Sequence, residues 1–159
     1  MRAYALAGIV SIVVIFAAVV VAQNQGWGAP PAQRLATVEQ ASAFAEAFLR
    51  TLASGSAFEA FNAVKSALPG EEAVEVDQTR DATLAMLERL RPTHGDPVGY
   101  DLVARRSLGS SVVRIESLLK LERYPVRCTI VFYRPQDLWL PVQILFDEDI
   151  RLMFEELNR

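Results

Sequence analysis

Two residue types that build reactive sites are almost missing from this sequence, which has one cysteine, Cys128, and one histidine, His94. A single cysteine excludes an internal disulfide and a cysteine-based metal cluster. The sequence also lacks a glycine-rich phosphate loop, zinc-ligand spacing and a Gly-x-Ser-x-Gly nucleophile motif. We therefore expect no metal and no cofactor. His94 is predicted to lie in a surface turn, and Cys128 to be a small buried apolar residue.

An excess of positive charge is absent as well. Sixteen Lys and Arg stand against 19 Asp and Glu, which gives a formal net charge of −3 at pH 7. Nucleic-acid-binding domains usually carry a basic face, so we expect no nucleic-acid partner. Acidic residues dominate from Glu39 to Asp101, and basic residues dominate from Leu102 to Arg134. Such a division predicts a polarised surface that attracts charged partners.

Residues 3–22 contain no charged side chain, and Arg2 precedes them. As a helix of 20 residues this segment is about 30 Å long, which matches the hydrocarbon core of a bilayer. It predicts a membrane helix with Arg2 on the cytoplasmic side and the rest of the chain outside a bacterial cytoplasmic membrane. We favour a retained single-pass anchor. The alternative is a signal peptide cleaved after Ala22, which gives a secreted or periplasmic protein.

The remaining chain predicts one domain. Residues 23–36 contain two glycines and two prolines, which indicates a linker. Residues 37–159 are enough for a single hydrophobic core and too few for two. The predicted organisation is therefore a membrane segment at 1–22, a linker at 23–36 and a single extracytoplasmic domain at 37–159.

Apolar residues at helical spacing predict two helices at the start of the domain. The first begins at the capping box Thr37–Gln40 and ends at Gly55. The second begins at a similar box, Ser56–Glu59, and ends before Pro69, which a helix interior does not accept.

A third helix is predicted over Thr79–Leu90, because Pro92 prevents its continuation. Residues 71–78 form a connector before it, with a short strand predicted at Ala73–Val76. The tail Asp149–Leu157 carries apolar residues that predict a short terminal helix.

After Gly95 the apolar period changes from helical to alternating, which predicts strands. Short turn sequences separate them, so we expect antiparallel hairpins with one apolar face that the helices cover. The predicted strands cover Tyr100–Arg105, Val112–Glu122, Val126–Tyr133 and Leu138–Asp147. The fold class is α+β: an amino-terminal transmembrane helix, then three helices packed on a curved antiparallel sheet of four or more strands.

This order resembles the cone-like fold shared by nuclear transport factor two and ketosteroid isomerase. A hairpin with Tyr-Arg followed by Asp-x-Trp, then an apolar strand ending in Asp, is similar to small bacterial members of that superfamily. The segments that carry the resemblance are Gly99–Leu102, Ser111–Arg114, Phe132–Trp139 and Ile144–Asp147. The resemblance covers residues 37–157 and includes no catalytic signature, so it supports the fold more than the function. A pilus-like or cystatin-like α+β fold is the main alternative.

The resemblance implies a pocket between the sheet and the helices. An isomerase needs a carboxylate base and hydrogen-bond donors there, to remove a proton beside a carbonyl and stabilise the enolate. The candidates are Asp101 or Glu116 as the base, with Tyr100 or Tyr133 as the donor. Both carboxylates alternate with core residues, which favours a solvent-facing position for them.

A second candidate site is an aromatic and basic patch on the polar face of the sheet. It consists of residues on the polar phase of successive strands: Trp139, Tyr133, Arg114 and Arg127. Trp, Tyr and Arg dominate the binding energy of protein interfaces. The patch predicts an interaction surface, and relatives of this fold often pair two copies through the open sheet face.

The absence of a complete acid, base and donor set favours a non-catalytic binding or interaction module at the membrane. Its expected partners are a second copy through the sheet face, a small apolar ligand, or an envelope protein. The alternatives are an isomerase or lyase that uses a pocket carboxylate, and a subunit of an envelope complex in which the membrane helix takes part.

Overall fold

The computed structural model describes residues 34–68, 75–151 and 153–154, together with the backbone alone at 12–15 and 73–74. Three helices precede four long strands: α1 (Val38–Ala53), α2 (Ala57–Ala67), α3 (Ala73–His94), β2 (Pro97–Leu108), β3 (Val112–Leu121), β4 (Pro125–Tyr133) and β5 (Leu140–Asp147). A short strand, β1 (Ile12–Ile15), comes first in the chain. All neighbouring strands are antiparallel, in the order β1-β5-β4-β3-β2.

Most of the predicted membrane segment, residues 3–22, lies outside the described residues. At Ile12–Ile15 the backbone is extended and pairs with β5, so the predicted helix is not found at these four positions. All four are β-branched residues, which favour strands. Among the described residues, no helix combines the length and the apolar character that a bilayer crossing requires. For the rest of the segment, the membrane helix stays a prediction.

The first helix begins and ends as predicted. The Thr37 hydroxyl accepts a hydrogen bond from the Gln40 N–H, and the Gln40 side chain accepts one from the Thr37 N–H, which completes the capping box. At the other end, Gly55 has a φ of +86°. Its N–H donates to the Leu52 carbonyl while the Ser56 N–H donates to the Thr51 carbonyl, the two bonds of a Schellman motif. The second predicted box differs, because the Ser56 side chain caps no backbone group of α2.

The third helix is longer than predicted at both ends. The strand predicted at Ala73–Val76 is wrong, because α3 begins at Ala73, and Val76 is buried in the helix-side core. Pro92 does not end the helix, which continues to His94. Pro92 lies in the last turn of α3, so only Thr93 and His94 follow it in the helix. Gly95, with a φ of +82°, then turns the chain into β2.

The predicted alternation is confirmed in β3, but not in β2, where the predicted core residue Leu102 is 47% exposed. On β3, the buried side chains Val113, Ile115 and Leu119 face the helices. Together with the helices, β3, β4 and β5 enclose one apolar core. Three helices packed on a four-stranded antiparallel sheet are compatible with the cone-like fold that the resemblance implies.

The folded domain begins before residue 37, where the predicted linker ends. Leu35 is buried in the core and forms an isolated β-bridge with Trp139. The Trp139 N–H donates to the Leu35 carbonyl at 2.7 Å. Residues 34–36 therefore belong to the domain, and they fix the chain beside the entry to β5.

Candidate functional site

The sheet face away from the helices carries charged side chains, and we call it the polar face. It is formed by the strand residues that alternate with the core positions, and its central members are Arg114, Glu116, Arg127, Thr129 and Asp147. Four of these are buried, all except Arg114, and Glu116 is only 1% exposed. A charged side chain that is buried this deeply needs an oppositely charged partner, because burial removes the water that hydrates it.

The pairing follows from strand register. Arg127 of β4 lies directly opposite Asp147 of β5, and Arg127 Nη2 donates to Asp147 Oδ2 at 2.8 Å. Arg114 and Glu116 lie two positions apart on β3, with Arg114 Nη2 3.0 Å from Glu116 Oε1. Each buried carboxylate therefore has a guanidinium beside it, which balances the charge inside the sheet face.

The turn after β5 extends this network. Asp147 Oδ1 accepts the backbone N–H of Asp149 at 2.8 Å. Arg151 donates its guanidinium and its backbone N–H to the Asp149 carboxylate, and these bonds lower the pKa of Asp149 to about 2, with a further contribution from the charge of Arg127. Arg127 therefore lies near two carboxylates, those of Asp147 and Asp149. Its Nε is buried and has no hydrogen-bond partner among the described residues.

The candidate catalytic residues do not meet in an enclosed pocket. Tyr100 lies over α1, where its hydroxyl donates to Glu46 Oε1 at 3.0 Å and accepts from Arg50 at 3.3 Å. Asp101 is exposed and forms an ion pair with Lys120 at 3.0 Å. The hydrogen bond with Tyr100 raises the pKa of the Arg50 guanidinium, which stays charged.

The remaining two candidates, Glu116 and Tyr133, lie on other parts of the sheet. Glu116 has the polar-face position that the alternation predicts, but it is buried rather than solvent-facing. Tyr133 is exposed at the end of β4. Tyr100 and Asp101 are consecutive on β2, and their register partners Leu119 and Leu118 place them on opposite faces of the sheet.

Aromatic side chains fill the space between the helices and the sheet. Phe44 meets Phe132 edge to face at 6.0 Å, and Phe48 meets Phe61 in the same way at 5.2 Å. Phe132 is 0% exposed.

One cavity of about 300 Å³ is lined by residues of α1 and α2 and by Arg34 and Leu35, and the buried Phe44 and Phe48 are part of its wall. Another, of about 250 Å³, lies between the end of α1, α3 and the start of β2. Neither is lined by Asp101, Glu116, Tyr100 or Tyr133.

The four residues of the predicted binding patch do not share one exposed surface. Trp139 is buried in the helix-side core, with the Arg134 guanidinium 5.1 Å from its ring centre. Its Nε1 has no hydrogen-bond partner among the described residues. Arg127 is buried in its pair with Asp147. Of these four residues, Arg114 and Tyr133 lie on the polar face and are accessible to a partner.

Strand geometry explains the difference at Trp139. The pairing of β4 with β5 shifts between Val131 and Phe132, and β5 begins at Leu140. Val142 is therefore an extra residue, and the alternation of β5 reverses there. Pro141 and Trp139 point to the core, whereas an unbroken alternation from Ile144 places them on the polar face.

Asp147 is the member of the buried polar-face network that sequence reasoning did not select as a site residue. Its only sequence signal is a carboxylate at the end of an apolar strand, and the meaning of that signal depends on the Arg127 opposite it.

His94 and Cys128 have structural positions. His94 ends α3, is half-buried, and its ring packs on Tyr124 at 4.8 Å. Cys128 is buried in the core as predicted, and burial raises the pKa of its thiol. The described part of the chain contains no group of three or more His, Cys, Asp or Glu side chains that can hold a metal ion.

Comparison of this chain with protein-family models, with curated proteins and with solved structures gave no match. Its function must therefore be argued from the arrangement of its own residues.

Proposed function

We propose that this protein is a non-catalytic interaction module of the cone-like superfamily at the outer side of a bacterial cytoplasmic membrane, where residues 3–22 insert as a helix in place of the β1 pairing. The observation that carries the proposal is the filled interior. In an enzyme of the isomerase type, the space between helices and sheet holds the substrate. Here Phe132 of β4 packs edge to face on Phe44 of α1 across that space, and Phe48 of α1 packs in the same way on Phe61 of α2 beside it.

The alternative, an isomerase or lyase, requires a buried carboxylate that faces a cavity. Glu116 meets the first half of that requirement. It lies, however, on the sheet face away from the helices and within 3.0 Å of Arg114. This ion pair holds the carboxylate on that face, away from the space between the helices and the sheet where a substrate would bind. The arrangement therefore supports binding rather than proton transfer.

The proposed contact surface is the accessible end of the polar face. Val112 pairs with Tyr133, and Arg114 pairs with Val131, so Arg114 and Tyr133 are diagonal neighbours on one face. Arginine and tyrosine are typical anchors of protein interfaces. The ion pair with Glu116 holds the Arg114 guanidinium in place, so Arg114 loses less conformational entropy when a partner binds. The proposed partner is an envelope protein; a second copy on this face is the other outcome that the experiment below distinguishes.

Photo-crosslinking in intact cells tests this surface. With p-benzoylphenylalanine in place of Tyr133 in the full chain, we expect a light-dependent adduct of one defined mass. The matched control carries the same residue at Glu59, an exposed position on α2. A mass of two chains identifies self-association through the polar face. Absence of an adduct at position 133, or equal adducts at both positions, would contradict the proposed surface.

The location is tested by thiol labelling. We expect Gln136→Cys, in an exposed turn, to react with a membrane-impermeant maleimide in spheroplasts. The unchanged chain is the control, because Cys128 is buried and its raised pKa keeps the thiol protonated and unreactive until the protein unfolds. Labelling of position 136 only after lysis would place the domain inside the cell and would contradict the proposal.

A further inference from the structure

The helix layer contains a cavity of about 300 Å³ that the proposed contact surface does not use, and we call it the helix cavity. Its volume is at the lower end of the range of small-molecule pockets. The buried side chains Leu35, Phe44 and Phe48 form part of its wall. Phe44 also packs on Phe132 of β4, so its ring lies between the cavity and the sheet. The helix cavity is therefore separate from the filled space between the helices and the sheet.

The helix cavity is long and narrow. Its lining residues on α1 recur every three or four positions from Gln40 to Thr51, so they follow one side of the helix over about 16 Å. Helix α2 supplies the other wall. Short side chains on both helices leave the space open, and these are Ala43, Ala47, Ala60 and Ala63. A narrow cavity with apolar walls fits a linear hydrocarbon chain better than a wide ring system.

The polar groups at the amino end of the helix cavity are hydrogen-bond donors. Gln40 Oε1 accepts the N–H of Ala36 at 2.6 Å and that of Thr37 at 3.4 Å, which leaves the Gln40 NH₂ group as a donor. Arg34 also lines the cavity, and its guanidinium forms no ion pair within the described residues. Both side chains lie near the amino end of α1, where the helix dipole adds positive potential.

The charge around the helix cavity indicates the kind of molecule that fits. No acidic side chain among the described residues lines it. Glu39, which is next to Gln40 in the sequence, lies 3.6 Å from Arg105 of β2. The cavity therefore has one positive charge at one end and apolar walls along its length. One arginine balances one negative charge, and its planar guanidinium matches the geometry of a carboxylate.

We propose that the helix cavity binds a linear-chain carboxylate of the fatty-acid type, with its head group at Arg34 and Gln40 and its chain beside Phe44 and Phe48. Ala47 is exposed, so the cavity is open on one side and binding is weak. Apolar burial of the chain supplies most of the affinity, and the exposed arginine selects the head group. This site lies on the helix side of the sheet and does not depend on the proposed function.

Two probes that differ in charge test the head-group contact. Amide NMR of the full chain in detergent follows the signals of Ala43, Ala47 and Ala63 during titration with hexanoate or with its neutral analogue hexanamide. Hexanoate is expected to shift these signals and to bind about fivefold more tightly than hexanamide. Arg34→Gln is expected to remove this difference. Arg123→Gln, which removes an exposed positive charge outside the cavity lining, is expected to keep it.

Equal binding of the two probes to the unchanged chain would overturn the proposal. Absence of any shift at these three alanines at millimolar hexanoate would also overturn it. If the same signals shift when the chain is concentrated without a probe, a second copy occupies the cavity, and a fatty-acid-type ligand is the wrong occupant.

A cavity-filling variant tests the chain contact. Ala47→Leu places a larger side chain in the cavity and is expected to weaken hexanoate binding about tenfold. Leucine is a good helix former, so α1 is expected to stay folded, which circular dichroism checks. The matched control is Ser66→Leu, at an exposed position of α2 outside the cavity lining, where we expect no change in binding. Equal hexanoate affinity in Ala47→Leu and Ser66→Leu would overturn the proposal.

Discussion

Asp147→Asn is expected to lower the free energy of unfolding by about 3–5 kcal/mol, because it removes the carboxylate that pairs directly with the buried Arg127 guanidinium and leaves only the charge of Asp149 near it. The two side chains are 2.8 Å apart and both are buried. Asparagine has the shape of aspartate and keeps an oxygen that can accept the hydrogen bond from the Asp149 N–H. The change in the free energy of unfolding therefore reports the loss of the negative charge. Urea unfolding of the full chain, followed by circular dichroism, gives the value.

Two further variants make this result specific. Asp101→Asn removes the same charge from an exposed pair with Lys120, and we expect a change of about 1 kcal/mol or less. Arg127→Met combined with Asp147→Leu removes both buried charges, and we expect it to recover most of the stability that Asp147→Asn loses. If Asp147→Asn and Asp101→Asn cost the same, the Arg127–Asp147 pair is not a buried charge pair.

Local sequence signals predicted the elements whose ends depend on neighbouring residues. The Thr37–Gln40 box and Gly55 fix both ends of α1 through hydrogen bonds within a few residues. The period of two in β3 predicted its buried side from Val113, Ile115 and Leu119. In both cases the information lies within the segment itself, so one sequence is enough.

The errors occurred where distant contacts override local preference. Ala73–Val76 contains two valines, which favour a strand, but Val76 is buried against the helix-side core as part of a helix. Pro92 is unfavourable in a helix interior, but α3 needs only two more residues to reach the turn at Gly95. Tertiary packing decides the first case, and no local pattern reports it. The second case depends on how near to the helix end the proline lies.

The sequence predicted on which face of the sheet Glu116 lies, but it did not predict how deeply the side chain is buried or what surrounds it. Alternation placed Glu116 on the polar face correctly but gave it a solvent position, whereas the side chain is buried beside Arg114. Arg127 and Asp147 are 20 residues apart, and only the register of β4 on β5 brings them together. A strand pattern predicts the side to which a residue points; it does not predict what covers that side.

Phe132→Ala is expected to lower the free energy of unfolding by about 3–5 kcal/mol, through lost apolar burial and the cavity that remains. Phe132 is fully buried, and its ring meets Phe44 edge to face at 6.0 Å. The matched control is Phe58→Ala, because Phe58 is 62% exposed and its main contact is the Arg80 guanidinium above its ring. We expect that change to cost about 1 kcal/mol or less. Denaturant unfolding compares the two.

The same variant tests the filled interior on which the proposed function depends. An apolar cavity left by a deleted aromatic ring stays dry and binds small apolar molecules. Benzene or indole is therefore expected to raise the Tm of Phe132→Ala and to leave the unchanged chain unaffected. If the unchanged chain is stabilised to the same extent, a pocket already exists between the helices and the sheet. That outcome would remove the main argument for a non-catalytic module and favour the isomerase alternative.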